Sequence, residues 1–419
     1  MKARFAVRIL SAFLTRSMDP FRFTSEPIEP ASWTAPGLGL YVHIPFCRTL
    51  CDFCPYNRVA YDAEAMKTYM AALEREVALV ADKTGALAEC SSLYFGGGSP
   101  ALALDYLPSL LALIDERFRP TGPKAIELHP SDVTEESARR LAELGFSLVS
   151  VGVQTFQEKL NLDIGRDFTD PSPAIERLVA EGFKTIDTDL LFGLPGQTSE
   201  MLESDLRRAV HLGATQISAY PFISFSYAKT PRVLPGLRER KRLLQTLEAT
   251  MASLGLERSS IWTFAKPGSS AYSSVTRENF LGFGASATTL LPDLFRINTF
   301  SVDAYSSRLG QGRIPTALTL PFTRRTRALY WLFWNSYLAR LSRQDYARLF
   351  GGNLDDDFRP EFRMALRAGI IEETGYGYAL SARGRYLFHL VEQAYTTEYI
   401  DKTWKTCRIQ AWPANLELY

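Results

Sequence analysis

Cys47, Cys51 and Cys54 share one short segment, Tyr41-Val-His-Ile-Pro-Phe-Cys-Arg-Thr-Leu-Cys-Asp-Phe-Cys-Pro-Tyr56, while Cys90 and Cys407 stand alone. A disulfide framework would spread its thiols in pairs along a small chain, so this grouping points to metal or redox chemistry in a reducing compartment, and the expected location is cytoplasmic. A structural zinc site needs four nitrogen or sulfur ligands closed round one ion. No fourth cysteine is near in sequence, and His43 lies only four residues before Cys47. A thioredoxin-like pair needs neither the third cysteine nor this spacing. Three thiolates can hold three irons of a [4Fe-4S] cubane and leave the fourth iron open. That iron can take the amino and carboxylate groups of S-adenosylmethionine (SAM), and a reduced cluster can pass an electron to the sulfonium.

Such a loop needs elements to position it. From residue 38, short apolar runs alternate with amphipathic stretches, the pattern of βα units in a parallel sheet. Strands are expected at 40–44, 92–95, 125–128, 148–153, 185–190 and 216–220, and helices at 62–81 behind an Asp62 N-cap and at 134–143 before Gly145. The fold class is therefore α/β, a partial (β/α)6 barrel over 38–225, and the cysteine segment follows its first strand on the C-terminal rim, where barrels assemble sites. Residues 1–37 read as an N-terminal arm, amphipathic over 1–18. Residues 226–320 read as a barrel extension and linking segment, with a helix over 234–254 and a tight turn at 281–290. Residues 321–419 read as a helical, winged-helix-like domain: helices at 324–340, 342–350 and 357–368, a hairpin, and a last helix.

Length and charge bound the function. A chain of 419 residues exceeds one ordinary domain, and 47 Lys and Arg against 46 Asp and Glu give no field for a polyanion, so no nucleic-acid partner is expected. No apolar run approaches the roughly 20 residues that span a bilayer.

The motifs carry a resemblance. C-x3-C-x2-C with an aromatic residue before the third cysteine is the radical SAM signature, and Tyr41-Val-His-Ile-Pro-Phe-Cys47 is similar to the oxygen-independent coproporphyrinogen III oxidase branch. The likeness covers roughly residues 38–400, with its motifs in order. It implies a radical SAM barrel in which SAM is cleaved to methionine and a 5′-deoxyadenosyl radical. Tyr94-Phe-Gly-Gly-Gly-Ser-Pro100 resembles the family's YFGGGTP and implies Gly97, Gly98 and Ser99 beside the SAM amino group. Ala125-Ile-Glu-Leu-His-Pro130 implies Glu127 as a SAM ligand. Val151-Gly-Val-Gln-Thr-Phe156 brings in Gln154, and Arg166 matches the SAM-contacting arginine. Asp187-Thr-Asp-Leu-Leu-Phe-Gly-Leu-Pro-Gly-Gln-Thr198 places Asp189 at the ribose, Phe53 lies against adenine, and Tyr41 and His43 fall near cluster and sulfonium. Plainer readings stay open: a surface Arg166, a solvated Glu127, a merely hydrogen-bonded His43.

Two departures shape the expected reaction. The oxidase carries a further cysteine two residues after the third, where this chain has Tyr56, and the haem-chaperone HNxxYW stretch reads here Ser273-Ser-Val-Thr-Arg-Glu-Asn-Phe-Leu-Gly282. The first expectation is therefore a class C type methyltransferase or cyclopropanase using two SAM molecules. Porphyrin decarboxylation, haem cleavage or haem chaperoning are the alternatives. The expected partners are a flat, unsaturated small molecule, held by aromatics among Tyr220 to Tyr227, Trp262 and Phe264 unless these are core, and a reductant such as flavodoxin or ferredoxin.

Overall fold

The computed structural model describes residues 21–85, 87–228, 232–269 and 278–418. Strands β1 (Leu38–Ile44), β2 (Ser92–Gly97), β3 (Lys124–Leu128), β4 (Phe146–Gln154), β5 (Thr185–Phe192) and β6 (Gln216–Pro221) lie parallel and in chain order. Helices α1 (Ala63–Thr84), α2 (Leu107–Arg117), α3 (Glu135–Glu143), α4 (Ser172–Ala180) and α5 (Ser199–His211) connect them. The order is the partial α/β barrel expected from the alternating pattern.

Local chemistry sets these boundaries. Asp62, in extended backbone, accepts a hydrogen bond from the Ala65 amide at 2.9 Å and starts α1, which ends at Gly85 in the left-handed conformation. Along α1, Met66, Met70, Leu73, Val77 and Val80 recur at three- and four-residue spacing and are all buried against the sheet. Each strand alternates. Leu40, Val42 and Ile44, with Leu93, Phe95, Ile126, Leu128, Val149 and Val151, pack into the main core with the helices. The intervening residues, Tyr41, Tyr94, Glu127, Ser150, Gly152, Asp187 and Asp189, fall on the opposite face and line the lumen.

The sheet continues beyond the barrel strands. After α6 (Leu237–Ser253), β8 (Thr263–Ala265) pairs antiparallel with β6, and β7 (Glu257–Arg258) pairs antiparallel with β8. Strand β9 (Asn279–Phe283) returns to pair parallel with β1, and β10 (Thr288–Leu290), β11 (Leu294–Asn298) and β12 (Thr316–Pro321) extend that edge. Among the described residues the order is β7-β8-β6-β5-β4-β3-β2-β1-β9-β10-β11-β12. The stretch 281–290, expected as a tight turn, is thus the second half of a central strand, a turn and an antiparallel strand. Helix α7 (Val302–Gly310) lies between β11 and β12.

The C-terminal unit is winged-helix-like: α8 (Arg324–Tyr337), β13 (Arg340–Ser342), α9 (Arg343–Phe350), α10 (Arg359–Arg367), and the hairpin of β14 (Ile371–Thr374) and β15 (Gly377–Leu380), with β13 paired to β15. Helices α11 (Ala382–Tyr395) and α12 (Asp401–Ile409) follow, and Leu416–Leu418 pairs antiparallel with Phe21–Phe23. The amphipathic arm expected over 1–18, and Ser273 to Arg277, lie outside the described residues. Among the described residues no helix is long and apolar enough to cross a membrane.

Candidate functional site

Immediately after β1 the chain turns into the cysteine loop, and several backbone bonds fix its shape. Phe46–Cys47 pairs with Val59–Ala60, and the Tyr61 amide donates to the Cys47 carbonyl at 2.8 Å. Arg58 folds the loop from inside, donating to the carbonyl of Cys54 at 2.8 Å and to that of Cys51. Cys47, Cys51 and Cys54 are free thiols, Cys51 buried and the other two half-buried. Burial, and then the neighbouring Cys54 and Cys51, push the Cys47 thiol up to about 12, so the three sulfurs stand within each other's field.

The Gly-rich turn after β2 lies directly against this loop. The Gly98 amide donates to the Ile44 carbonyl and the Ser99 amide to that of Phe46, both at 2.8 Å. A methyl group at Gly98 would stand 2.4 Å from the Phe46 carbonyl oxygen and 2.9 Å from the Cys47 sulfur, and Gly97 adopts φ +122, close under His43. Ser99 donates its hydroxyl to Asp132 at 2.5 Å, and Asp132 also takes Arg48 at 2.7 Å. The sequence reading did not single out Asp132.

Glu127 is held from two sides: Tyr94 donates its hydroxyl to one carboxylate oxygen, and the Gly97 amide donates to the other at 3.1 Å. Burial raises its pKa above the usual carboxylate range. On β5, Asp189 accepts from the Ser150 hydroxyl at 2.8 Å. Burial first, then Asp187 and Glu127, hold its carboxyl far up. Asp187, one layer deeper, accepts from Gln216 and Ser218 at 2.7 Å each, while its second oxygen has no partner among the described residues.

Opposite them, Gln154 ends β4 with φ +69, an uncommon conformation for a residue with a side chain, at a bulge where Asp189 faces Gly152 and Leu190 faces Gln154. Arg166 is buried, donates to the Gly152 carbonyl at 2.5 Å and acts electrostatically on the Cys51, Cys54 and Cys47 thiols. Phe53 packs near Phe222, Leu160 and Ile164, with ring centroids 6.4 Å apart for the phenylalanine pair.

His43 is fully engaged. Its Nε2 lies 3.0 Å from the Asn57 carbonyl, which can only accept, so Nε2 carries the proton and Nδ1 accepts from the Tyr41 hydroxyl at 2.8 Å. Burial lowers its pKa to about 4, keeping it neutral. Neither nitrogen is left for a ligand, and His43 braces Gly97 through its ring.

The loop thus brings the thiols, Gly97 to Ser99, Glu127, Gln154, Arg166 and Asp189 to one rim, with Tyr41 and His43 beneath and Phe53 to one side. Among the described residues no three His, Cys, Asp or Glu side chains close round a single ion. Three free thiols share one short loop, and Gly98 lies so near that a methyl group there would stand 2.9 Å from the Cys47 sulfur. The donor set fits a [4Fe-4S] cluster. Of the aromatics expected at a substrate pocket, Trp262, Phe264 and Phe222 are buried in packed clusters, while Tyr220 is half-buried beside the lumen carboxylates.

Residues 41–209 match the family model described as the radical SAM superfamily. The heme chaperone HemW of Bacillus subtilis is 28% identical over 375 residues, covering 85% of this chain and 99% of that protein. The oxygen-independent coproporphyrinogen III oxidase of Cereibacter sphaeroides is 29% identical over 328 residues, covering 70% of this chain and 71% of that one. Among solved structures, coproporphyrinogen III oxidase from Escherichia coli, described as a radical SAM enzyme, superposes with a TM-score of 0.76 at 22% identity over 89% of this chain and 94% of that chain, which shows a shared fold.

Proposed function

The chain belongs to the radical SAM superfamily, in its coproporphyrinogen III oxidase-like branch, and from that premise we propose that it cleaves SAM reductively and directs the resulting radical chemistry at a tetrapyrrole. Cys47, Cys51 and Cys54 hold the cluster. When bound, cluster and SAM together supply one-electron cleavage of the sulfonium, the electron coming from a reductant such as flavodoxin or ferredoxin.

The chain's own residues do the rest. Gly97 and Gly98 let backbone approach the amino group of SAM, Glu127 offers its positioned carboxylate to the cationic parts, and Arg166 offers a guanidinium to the carboxylate end. Asp189 has one oxygen oriented by Ser150 and presents the other to ribose hydroxyls. The observation that carries this reading is the join at Arg166: its guanidinium donates to the Gly152 carbonyl on the rim of β4 and acts electrostatically on the three thiols, while the Asp52 amide of the thiol loop donates to the adjacent Gly165 carbonyl at 3.3 Å, so that thiol loop and barrel make one site.

The tetrapyrrole follows the relatives, named as coproporphyrinogen III oxidases and a heme chaperone. None of those named above is a methyltransferase, so the expected methyl transfer from a second SAM drops to the second reading. It keeps one observation in its favour: the ring of Tyr56, not a thiol, occupies the position two residues after the third cysteine.

The test is anaerobic reconstitution with iron and sulfide, followed by turnover with dithionite, SAM and coproporphyrinogen III. The proposal expects methionine and 5′-deoxyadenosine with an oxidised or decarboxylated porphyrin. S-adenosylhomocysteine in the products would move the assignment to methyl transfer. Haem binding with no cleavage of SAM under any substrate would defeat the enzymatic reading.

A further inference from the structure

Tyr56 is half exposed, and Glu127, Asp189 and Cys54 act on it electrostatically. Helix α12 holds it in place. Arg408 donates to the Pro55 carbonyl at 2.9 Å and to the Tyr56 carbonyl, and its guanidinium sits 4.8 Å over the Tyr227 ring. The Tyr227 hydroxyl donates to the same Pro55 oxygen at 3.2 Å, and Asp401 anchors the start of the helix by accepting from the Ser226 amide at 2.8 Å. Trp404, one turn before Arg408, places its ring 5.8 Å from that of Tyr56 at 47° and is backed by Phe300 at 6.4 Å.

Two aromatic rings held by both backbone and side-chain contacts offer a large contact area with little rotamer entropy to lose. Glu127 and Asp189, assigned above to SAM, act electrostatically on Tyr56, which sets this pair of rings beside the SAM-binding rim. We propose that Tyr56 and Trp404 form one wall of the substrate pocket, against which the pyrrole rings of a tetrapyrrole lie, so that α12 sets substrate specificity from outside the barrel. This rests on the tetrapyrrole reading above.

The experiment titrates the reconstituted full chain with coproporphyrin III, following the porphyrin absorption band, and measures SAM binding and the cluster EPR signal in parallel. Trp404→Ala and Tyr56→Leu are expected to weaken coproporphyrin III binding about tenfold, equivalent to about 1.4 kcal/mol. Trp404→Phe, Tyr56→Phe and the distant hairpin variant Tyr376→Ala should hold it near wild type, with SAM affinity and EPR signal unchanged in all five. Tyr56→Leu alters a half-open ring and carries the test if Trp404→Ala does not fold. Unchanged porphyrin affinity in Tyr56→Leu and in every folded Trp404 variant overturns the wall and leaves the tetrapyrrole reading standing. Loss of a SAM equivalent with porphyrin affinity intact overturns it by assigning the wall to a second adenine. Failure of the wild-type chain to bind the porphyrin removes the tetrapyrrole reading and the wall together.

Discussion

Tyr94 on β2 donates its hydroxyl to Glu127 on the neighbouring β3, so the carboxylate assigned to SAM is oriented by a residue two positions before the glycine triplet. Tyr94→Phe deletes that donor and leaves the Gly97 amide to hold the carboxylate alone. A hydrogen bond to a charged group contributes about 1.5 kcal/mol or more. The expected result is SAM affinity roughly tenfold weaker at unchanged iron content, measured by anaerobic calorimetry.

Gly98 is where the cradle is tightest. Gly98→Ala puts a methyl group against the Phe46 carbonyl and the Cys47 sulfur, and overpacking of this kind costs about 1–3 kcal/mol. The thiol is the more mobile neighbour, so the loop should give way first. Iron and sulfide per chain should fall after reconstitution while the far-UV spectrum stays that of the wild type.

Tyr69 on α1 is fully buried, donating to the His43 carbonyl at 2.7 Å and accepting from the Ala285 amide at 2.9 Å. Tyr69→Phe strands both backbone groups, and each unsatisfied buried group costs about 1–3 kcal/mol. The urea midpoint should drop with an unchanged slope. An unaltered midpoint would mean that the turn after β9 does not depend on this hydroxyl.

Glu392 on α11 predicts a pH dependence. Burial pushes its carboxyl up to about 8; Thr396 donates to one oxygen at 3.0 Å, and the other has no partner among the described residues. Tyr337 and Tyr395 also face it. The folded chain keeps a proton that the unfolded chain releases above about pH 4.3, so this group's contribution falls as pH rises from there to the folded value. Glu392→Gln stays neutral throughout. Its stability advantage over the wild type should grow across that window and level off above it, read from denaturation midpoints at several pH values.

Much of this was legible because it is local. The strands expected at 40–44 and 148–153 differ from those observed by a few end residues, since apolar alternation and flanking Gly and Asp residues carry the signal. The same two-residue period puts Tyr41, Glu127 and Asp189 on one face. What escaped notice depends on partners distant in sequence. Strand β9 reads Asn-Phe-Leu-Gly-Phe, all buried and without alternation, so only its pairing with β1 reveals a central strand. Asp132, Ser150 and Tyr94 orient named site residues across strands. Tyr94 and Ser150 could have been found by listing polar side chains on the lumen period; Trp404 and Arg408 could not, because nothing in α12 marks it as facing residue 56.

The contact of Arg408 with Pro55 joins positions 353 apart in the chain. In folding, contacts between neighbouring βα units close short loops, whereas this one closes a very long one, exceeded by the pairing of Phe21–Phe23 with Leu416–Leu418. The clasp on the cysteine loop is therefore a late event, formed once barrel and C-terminal unit have docked. In reverse it is an early one: releasing α12 under mild denaturant bares Tyr56 and the thiol loop while every barrel strand stays paired. Metal retention should thus report on the docking of a distant helix before any spectroscopic measure of the barrel itself changes.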